Sequence, residues 1–334
     1  MATLKDIATL CGISTTTVSL VLNGRHTRVG ISAETRARVL AAAKELHYVF
    51  NAGARNIRSG RSDAIGIVSN FAPDSVYIWS VLSSITKASA RLNYTTKFFL
   101  YSADDEDGLI RQIVGHRVAG VLIPFSPTGF AAKLARECAY SDIPVVAINS
   151  LDTNEISCPN FTADDAMGGR LAAEALVKAG CRRIIYILQT QSPHLYWYRQ
   201  RIDSFLATLA ARAPEVETVP VTQEDVVNLS PSSDLGRLLL SDRAPDGIFC
   251  HSDDYAFPVE RFAIRNGISI PDKLSIVGYG NHLGGALLPI PLTTIVEPLA
   301  QMGEQALELL LSKKNLEPAR HLLPVQLLRR ETLK

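Results

Sequence analysis

The chain contains no apolar run approaching the roughly 18 residues of a membrane span, so no crossing of a bilayer is expected. Its five cysteines, at positions 11, 138, 158, 181 and 250, form no CxxC pair. That absence excludes the common zinc and disulfide frameworks and fits a reducing, cytoplasmic setting. There is no GxSxG, HExxH or phosphate-loop signature, and no convergent set of nucleophile, base and metal ligands. The expectation is a protein with no catalytic residue, no metal and no cofactor. The first residues, MATLKDIATLCG, carry an acid at Asp6 and lack an apolar stretch, unlike a secretory leader.

What is present is enough to build large cores. The 334 residues are 47% hydrophobic and 20% charged, which suits two or three globular domains. The net charge of +1 conceals a division. Residues 1–61 hold nine Lys or Arg and three acids, a net +6, which leaves −5 for the remainder. A basic head on an acidic body points to a polyanionic partner for the head, with a merely solvated basic face as the alternative.

The head reads as helical. Thr3 and Asp6 form a capping-box pattern ahead of Ile7 and Leu10, and Gly12 breaks that helix. In STTTVSLVLNG, Ser14 to Gly24, the residues Val18, Val21 and Leu22 recur at helical spacing behind Ser14 at the N-cap place. Threonine is a mediocre helix former. Three in succession make a first turn surfaced with hydroxyls, either by accident of composition or because they touch something. Ser32 opens a third helix running to about Leu46, with Val39, Leu40, Ala43 and Leu46 as its apolar stripe. Two short helices about a glycine turn, with a third in support, form the helix-turn-helix arrangement. The basic stretch NAGARNIRSGRS, 51–62, is either a plain linker or a marginal helix that orders on a partner.

From Ala64 onward strand and helix alternate. AIGIVSN, TTKFFLYS, GVLIPF, PVVAIN, RIIYIL, GIFCHS and LSIVGYG read as buried strands. Helical stretches near 77–92, 105–116, 128–140, 165–179, 200–212, 254–266 and 298–312 lie between or after them. This predicts parallel sheets with helices on both faces, in two α/β lobes, with a ligand cleft at the carboxyl ends of the strands.

Three motifs need weighing. Gly278, Gly280 and Gly284 approach a dinucleotide fingerprint, but Pro289 and Pro291 follow at once, so a loop at a strand end is favoured. HSDD, 251–254, reads as a solvated loop rather than a metal or acid–base site. HLYWYRQR, 194–201, sets three aromatics and two arginines after a strand. That combination suits a polar ring-shaped ligand, or plain aromatic packing.

TLKDIATLCGISTTTVSLVLNG, followed by ISAETRARVLAAAKELHYVFNAGARNIRSGRSDAIGIV, resembles the N-terminus of the LacI/GalR family of transcription factors. The likeness continues through IPVVAIN, FTADDAMGGRLAAEALVKAGCRRIIYI, RIDSFLATL, HSDDYA, SIVGYGN and PLTTIVEPLAQMGEQALELLL, over essentially the whole chain. It implies an all-α helix-turn-helix head at 1–49, a hinge helix or linker at 50–61, and an effector-binding and dimerisation domain at 62–334. That domain would be two-lobed, α/β and similar to a periplasmic binding protein. Its N-lobe would hold about 62–160 and 293–320, and its C-lobe about 161–292 and 321–334. The implied function is a repressor that binds near-palindromic double-stranded operator DNA as a homodimer. A small carbohydrate-related effector in the cleft would control it. The C-terminal LLRRETLK shows no leucine heptad, which favours a dimer over a tetramer. The rival reading is a cytoplasmic solute-binding protein or enzyme with a non-specific basic appendage.

On the same resemblance, DNA contacts fall to Thr3, Ser14, Thr15, Thr16, Thr17, Ser19, Asn23, Arg25 and Arg28 in the head, and to Asn51, Ala54, Arg55 and Ile57 in the hinge. Thr15 and Thr16 take the places of the main sequence readers. Ile57 takes the place of a leucine that wedges into the minor groove. Phe50 stands for a common proline, and Leu20 for a base-reading arginine worth ~1–3 kcal/mol of discrimination. Effector contacts fall to Tyr77, Trp79, Tyr196, Arg201, Ser252, Asp253 and Asn281. Ser252 and Gly280 replace an Asn and an Asp that bind sugar hydroxyls in the family. That argues against a simple neutral sugar, and for a modified sugar, a sugar acid, a nucleoside or no effector. Asn281, His282 or the aromatics from Tyr196 to Tyr198 would then compensate.

Overall fold

A computed structural model describes residues 2–22, 30–48, 62–70, 78–127, 129–150, 156–190 and 195–334. They form two compact units, one within residues 1–61 and one within 62–334. No helix among the described residues is long and apolar enough to cross a membrane.

The first unit contains α1 (Leu4–Cys11), α2 (Thr15–Leu22) and α3 (Ala33–Glu45). Each begins on a capping hydroxyl, which satisfies an amide that the helix itself leaves unbonded. Thr3 and Asp6 close a reciprocal capping box, with the Thr3 amide donating to Asp6 Oδ2 at 2.8 Å. Ser14 Oγ accepts from the Thr17 amide at 3.1 Å, and Ser32 Oγ from the Thr35 amide at 3.1 Å. Ile7, Ala8, Cys11, Val18, Val21, Val39 and Ala42 meet in a small core. On α3 the inward residues are Val39 and Ala42. Leu40, expected in the apolar stripe, is 45% exposed because it lies one residue past the buried line.

The second unit carries two six-stranded sheets. The first has the order β11-β5-β4-β3-β1-β2. Its strands are β1 (Ala64–Ser69), β2 (Thr95–Leu100), β3 (Gly120–Pro124), β4 (Val145–Ile148), β5 (Asn160–Ala163) and β11 (Arg320–Leu323). The second has the order β12-β10-β9-β8-β6-β7. It contains β6 (Arg183–Leu188), β7 (Glu217–Thr222), β8 (Gly247–Phe249), β9 (Ser275–Tyr279), β10 (Thr293–Val296) and β12 (Gln326–Leu328). All pairings are parallel except β10 with β12, at the edge. Helices cover the sheets, as parallel strands buried on both faces require. The fold is the two-sheet parallel α/β architecture expected from the alternation of apolar runs.

Two details differ from the sequence reading. TTKFFL is not a buried strand. It pairs with β1 alone, so Phe98 and Leu100 are 51% and 65% exposed and only Phe99 is buried. The lobe limits also move. β5 lies wholly in the first sheet rather than ending it at 160. β10, assigned by expectation to the first lobe, pairs with β9 in the second. β11 pairs with β5 in the first, so residues 321–323 belong there. The helix Leu299–Ser312 packs on the first lobe, against β3, β4 and the helix Ile78–Arg91.

Candidate functional sites

In the head, the front of α2 divides its hydroxyls between two tasks. Ser14 and Thr17 bond to each other at 2.9 Å and cap the helix. Thr15 and Thr16 are exposed, while Val18 and Val21 anchor the opposite face in the core. The expected contacts Thr3, Ser14 and Ser19 also lie on described residues. Thr3 is exposed, but its hydroxyl donates to Asp6 Oδ2 at 2.9 Å. Ser19 is half-buried. Asn23, Arg25, Arg28, Asn51, Ala54, Arg55 and Ile57 lie outside the described residues.

In the body, the carboxyl ends of the strands converge on a cavity of about 360 Å³. Phe125 follows β3, Asn149 and Ser150 follow β4, Gln189 follows β6, His251 and Ser252 follow β8, and Glu297 follows β10. This is where open parallel sheets hold ligands. The volume suits a small organic molecule.

One wall is built around Arg201, on the helix Tyr196–Arg212. That helix lies close to the helix Asp165–Lys178 because Gly169 has no side chain. A Cβ there would sit 2.1 Å from the Arg201 carbonyl oxygen. The Arg201 guanidinium is buried, and each of its three nitrogens donates a hydrogen bond. Nε donates to Asp165 Oδ1 at 2.7 Å, Nη1 to the His251 carbonyl at 2.9 Å, and Nη2 to Glu297 Oε1 at 3.3 Å. Its carbon stands 3.4 Å from the Tyr279 ring centre and 4.6 Å from that of Trp197. The Tyr279 hydroxyl also donates to Asp165 Oδ1, at 2.9 Å. Burial pushes the Asp165 and Glu297 carboxyls up, and the charge of Arg201 opposes it. For Arg201 burial favours losing the proton, but its carboxylate partners outweigh that and hold it charged.

The HSDD segment is not a solvated loop. His251 is 1% exposed and Asp253 fully buried. The His251 ring nitrogens sit 3.2 Å from the Ile187 carbonyl and 3.2 Å from the Gln189 side-chain amide. Burial, then the neighbouring Arg201 charge, pushes its pKa down to about 3, so the imidazole is neutral. Asp253 Oδ1 accepts from Thr294 Oγ1 and Oδ2 from the His282 amide, each at 2.7 Å. It fills the space left by Gly278, where a Cβ would meet Asp253 Oδ1 at 2.1 Å. Asp253 therefore braces the strand end, and it is not among the residues that line the cavity. Asn281 does not line this cavity either. Its Oδ1 accepts from Arg330 Nη2 at 2.7 Å, and it faces a neighbouring cavity. Trp79 is 53% exposed and does not line the cleft. Tyr77 lies outside the described residues.

Tyr196, Arg201 and Ser252 do line the cavity. Ser252 also caps the helix Asp253–Arg265. His282 lines it too, with Nδ1 3.0 Å from Asp254 Oδ1. Burial, the largest single effect, would lower the His282 pKa, but the bond to Asp254 and the charges of Asp254, Asp253 and Glu297 together outweigh it, and the net direction is up. Residues not anticipated include Phe125, Asn149, Thr162, Asp165, Glu297 and Arg320. Gly280, where the family carries an acid, has φ +116°, a backbone that residues with a Cβ rarely adopt.

Residues 3–51 match the family model described as bacterial regulatory proteins, lacI family, and residues 173–333 match the periplasmic binding protein-like domain. The HTH-type transcriptional repressor PurR of Mannheimia succiniciproducens is 29% identical over 321 residues, covering 94% of this chain and 92% of that protein. The ribose operon repressor of Haemophilus influenzae is 27% identical over 315 residues, again covering 94% and 92%. Among solved structures, the lac repressor dimer bound to operator and an anti-inducer aligns with a TM-score of 0.79 at 21% identity. It covers 99% of this chain and 98% of that one. A LacI-family regulator from Silicibacter pomeroyi aligns over 100% of both chains with a TM-score of 0.69 at 25% identity.

Proposed function

The chain belongs to the LacI family of bacterial regulatory proteins, and from that premise we propose that it is a sequence-specific transcriptional repressor of the bacterial cytoplasm, not an enzyme. It binds a near-palindromic operator as a homodimer and responds to a small effector held in the cleft of the body. The observation that carries the DNA reading is the front of α2, where Thr15 and Thr16 are exposed on a helix pinned from behind by Val18 and Val21.

In this reading α2 enters the major groove by its N-terminus, with Thr15 and Thr16 at base edges. A threonine hydroxyl bonds to bases or phosphates, and its methyl packs on thymine. Ser14, Thr17, Ser19 and Thr3 contact the backbone, with the Asn23 amide donating to phosphate and Arg25 and Arg28 adding charge against it. Asn51, Ala54 and Arg55 follow the minor groove, and Ile57 wedges into a central step. The body couples to this by linkage. An effector that favours one arrangement of the lobes shifts operator affinity by its differential affinity for the two states, typically ~1–3 kcal/mol.

The test is selection of random duplex DNA by the full-length protein at near-physiological salt, without and then with a sugar and nucleoside panel. The expected product is a near-palindrome of two half-sites around a flexible pyrimidine–purine step. Thr16→Ala and Ile57→Ala should each weaken binding to it about ten- to a hundredfold. No enriched sequence under any of these conditions would refute the reading.

A further inference from the structure

Among the described residues, two buried polar atoms of the cleft have no hydrogen-bond partner. They are Thr162 Oγ1, on β5, and Arg320 Nη1, on β11. Thr162 is only 4% exposed, and both residues line the cavity. Such atoms normally find a partner, because leaving one unbonded in the interior costs free energy. The two lie together by register. β5 and β11 are parallel neighbours with Arg320 opposite Asn160 and Leu322 opposite Thr162. Side chains alternate along a strand, so Thr162 and Arg320 share one face of adjacent strands, one pleat repeat apart.

The electrostatics are equally specific. The guanidinium carbon of Arg320 lies 3.8 Å from the ring centre of Tyr196, so one face of the group is stacked and its edge is left for hydrogen bonding. Among the described cavity residues, the other charged groups are paired. Asp165 and Glu297 share Arg201, and Asp254 faces His282. Arg320 makes no ion pair with any described residue.

We propose that the cleft takes an anionic effector, a small polyhydroxylated molecule whose carboxylate or phosphate oxygens accept from Arg320 Nη1 and Thr162 Oγ1. The inference rests on the cleft being the effector site, as proposed above. It adds the charge of the ligand and the residues that select it. A guanidinium held by stacking presents its N–H groups in a fixed plane, the geometry that carboxylates and phosphates accept. A neutral sugar gives that group no counter-charge.

The experiment measures thermal shift and titration calorimetry on the full-length protein with D-glucuronate, D-glucose 6-phosphate, inorganic phosphate and neutral D-glucose at matched ionic strength. At least one anion should raise the melting temperature where D-glucose does not. Arg320→Gln should weaken that anion about ten- to a hundredfold, and Arg320→Lys should restore part of the loss. Thr162→Val, checked for an unchanged far-ultraviolet spectrum, should weaken it severalfold. Preference for glucuronate over the phosphates identifies a carboxylate, and the reverse a phosphate. The proposal falls if D-glucose binds as well as the anions, if anion binding survives Arg320→Gln, or if no anion in the panel binds. Operator selection on the ligand-free protein is read independently. An enriched operator with no anion binding removes this inference alone. Anion binding with no operator selected by either the ligand-free or the anion-bound protein removes the regulator and leaves the cleft assignment standing.

Discussion

The two walls of the cleft are made from the same kinds of residue and treat them oppositely. The second lobe's wall gathers Asp165, Arg201 and Tyr279 into one bonded cluster, completed by Glu297 from the crossing segment. The first lobe's wall carries Thr162 and Arg320 with polar atoms that nothing in the described chain satisfies. One wall is finished before any ligand arrives, and the other is completed by one. A charged residue lining a pocket is therefore not by that fact a ligand contact. Arg201 organises its wall, whereas Arg320 is placed to select.

The sharpest way to break this contrast is Arg201→Met. It leaves Asp165 and Glu297 buried without their cation, which should cost about 3–5 kcal/mol. Urea unfolding followed by tryptophan fluorescence would read it. A loss below about 1 kcal/mol would mean that the finished wall is not held by its ion pairs. Restoring neutrality with Asp165→Asn and Glu297→Gln in the same chain should recover much of the difference.

A smaller effect follows from the histidines. His251 has a folded pKa pushed down to about 3, below its unfolded value. Its contribution is complete above about pH 6.5 and is lost as pH falls towards 3, at about 1.4 kcal/mol per pH unit in that window. His282, raised by Asp254, acts in the opposite sense. Its contribution is present below about pH 6.5 and fades as pH rises through its folded pKa. Melting temperatures from pH 7 down to about pH 4.5 should fall less for His251→Gln than for the unmodified protein. That difference isolates the imidazole from Asp165 and Glu297, whose raised carboxyls favour the folded state on acidification. Equal slopes would show that His251 is not held neutral.

The smallest effect belongs to the unfinished wall. Thr162→Val removes a hydroxyl that has no partner among the described residues, so stability should change by no more than about 1 kcal/mol, and upward. A loss above about 2 kcal/mol would mean that the hydroxyl is satisfied in the free protein, and the two walls would no longer differ.

The head was legible because its signals are local. Caps at Thr3, Ser14 and Ser32 stand within three residues of the amides they serve, and Val18 and Val21 mark one face by spacing alone. The parallel sheets were legible from runs such as RIIYIL. Strand position was not, since an apolar run looks the same at an edge as in the centre, and TTKFFL is at an edge. β5 and β11 escaped because each is four residues long and starts on a polar side chain. The cleft was legible only at Arg201, Tyr196 and Ser252. Arg320 and Thr162 share a face of neighbouring strands although far apart in sequence, and no local pattern announces that juxtaposition. Asp253 misled because an acid in a strand–helix loop looks exposed, and only the fold shows it under Gly278.

The path of the chain between the two sheets has a consequence for inheritance. The backbone crosses from the first lobe to the second after β5, returns after β10, and crosses again through Pro324 and Val325, between β11 and β12. No contiguous stretch of the gene encodes either lobe. A single recombination breakpoint anywhere between codons 164 and 320 gives a first lobe of mixed parentage, with β11 and β5 drawn from different ancestors. Thr162 and Arg320 would then be exchanged separately, although they face the same cleft. Only an exchange that begins before codon 162 carries the two together; one that begins between them leaves mutation to restore the match.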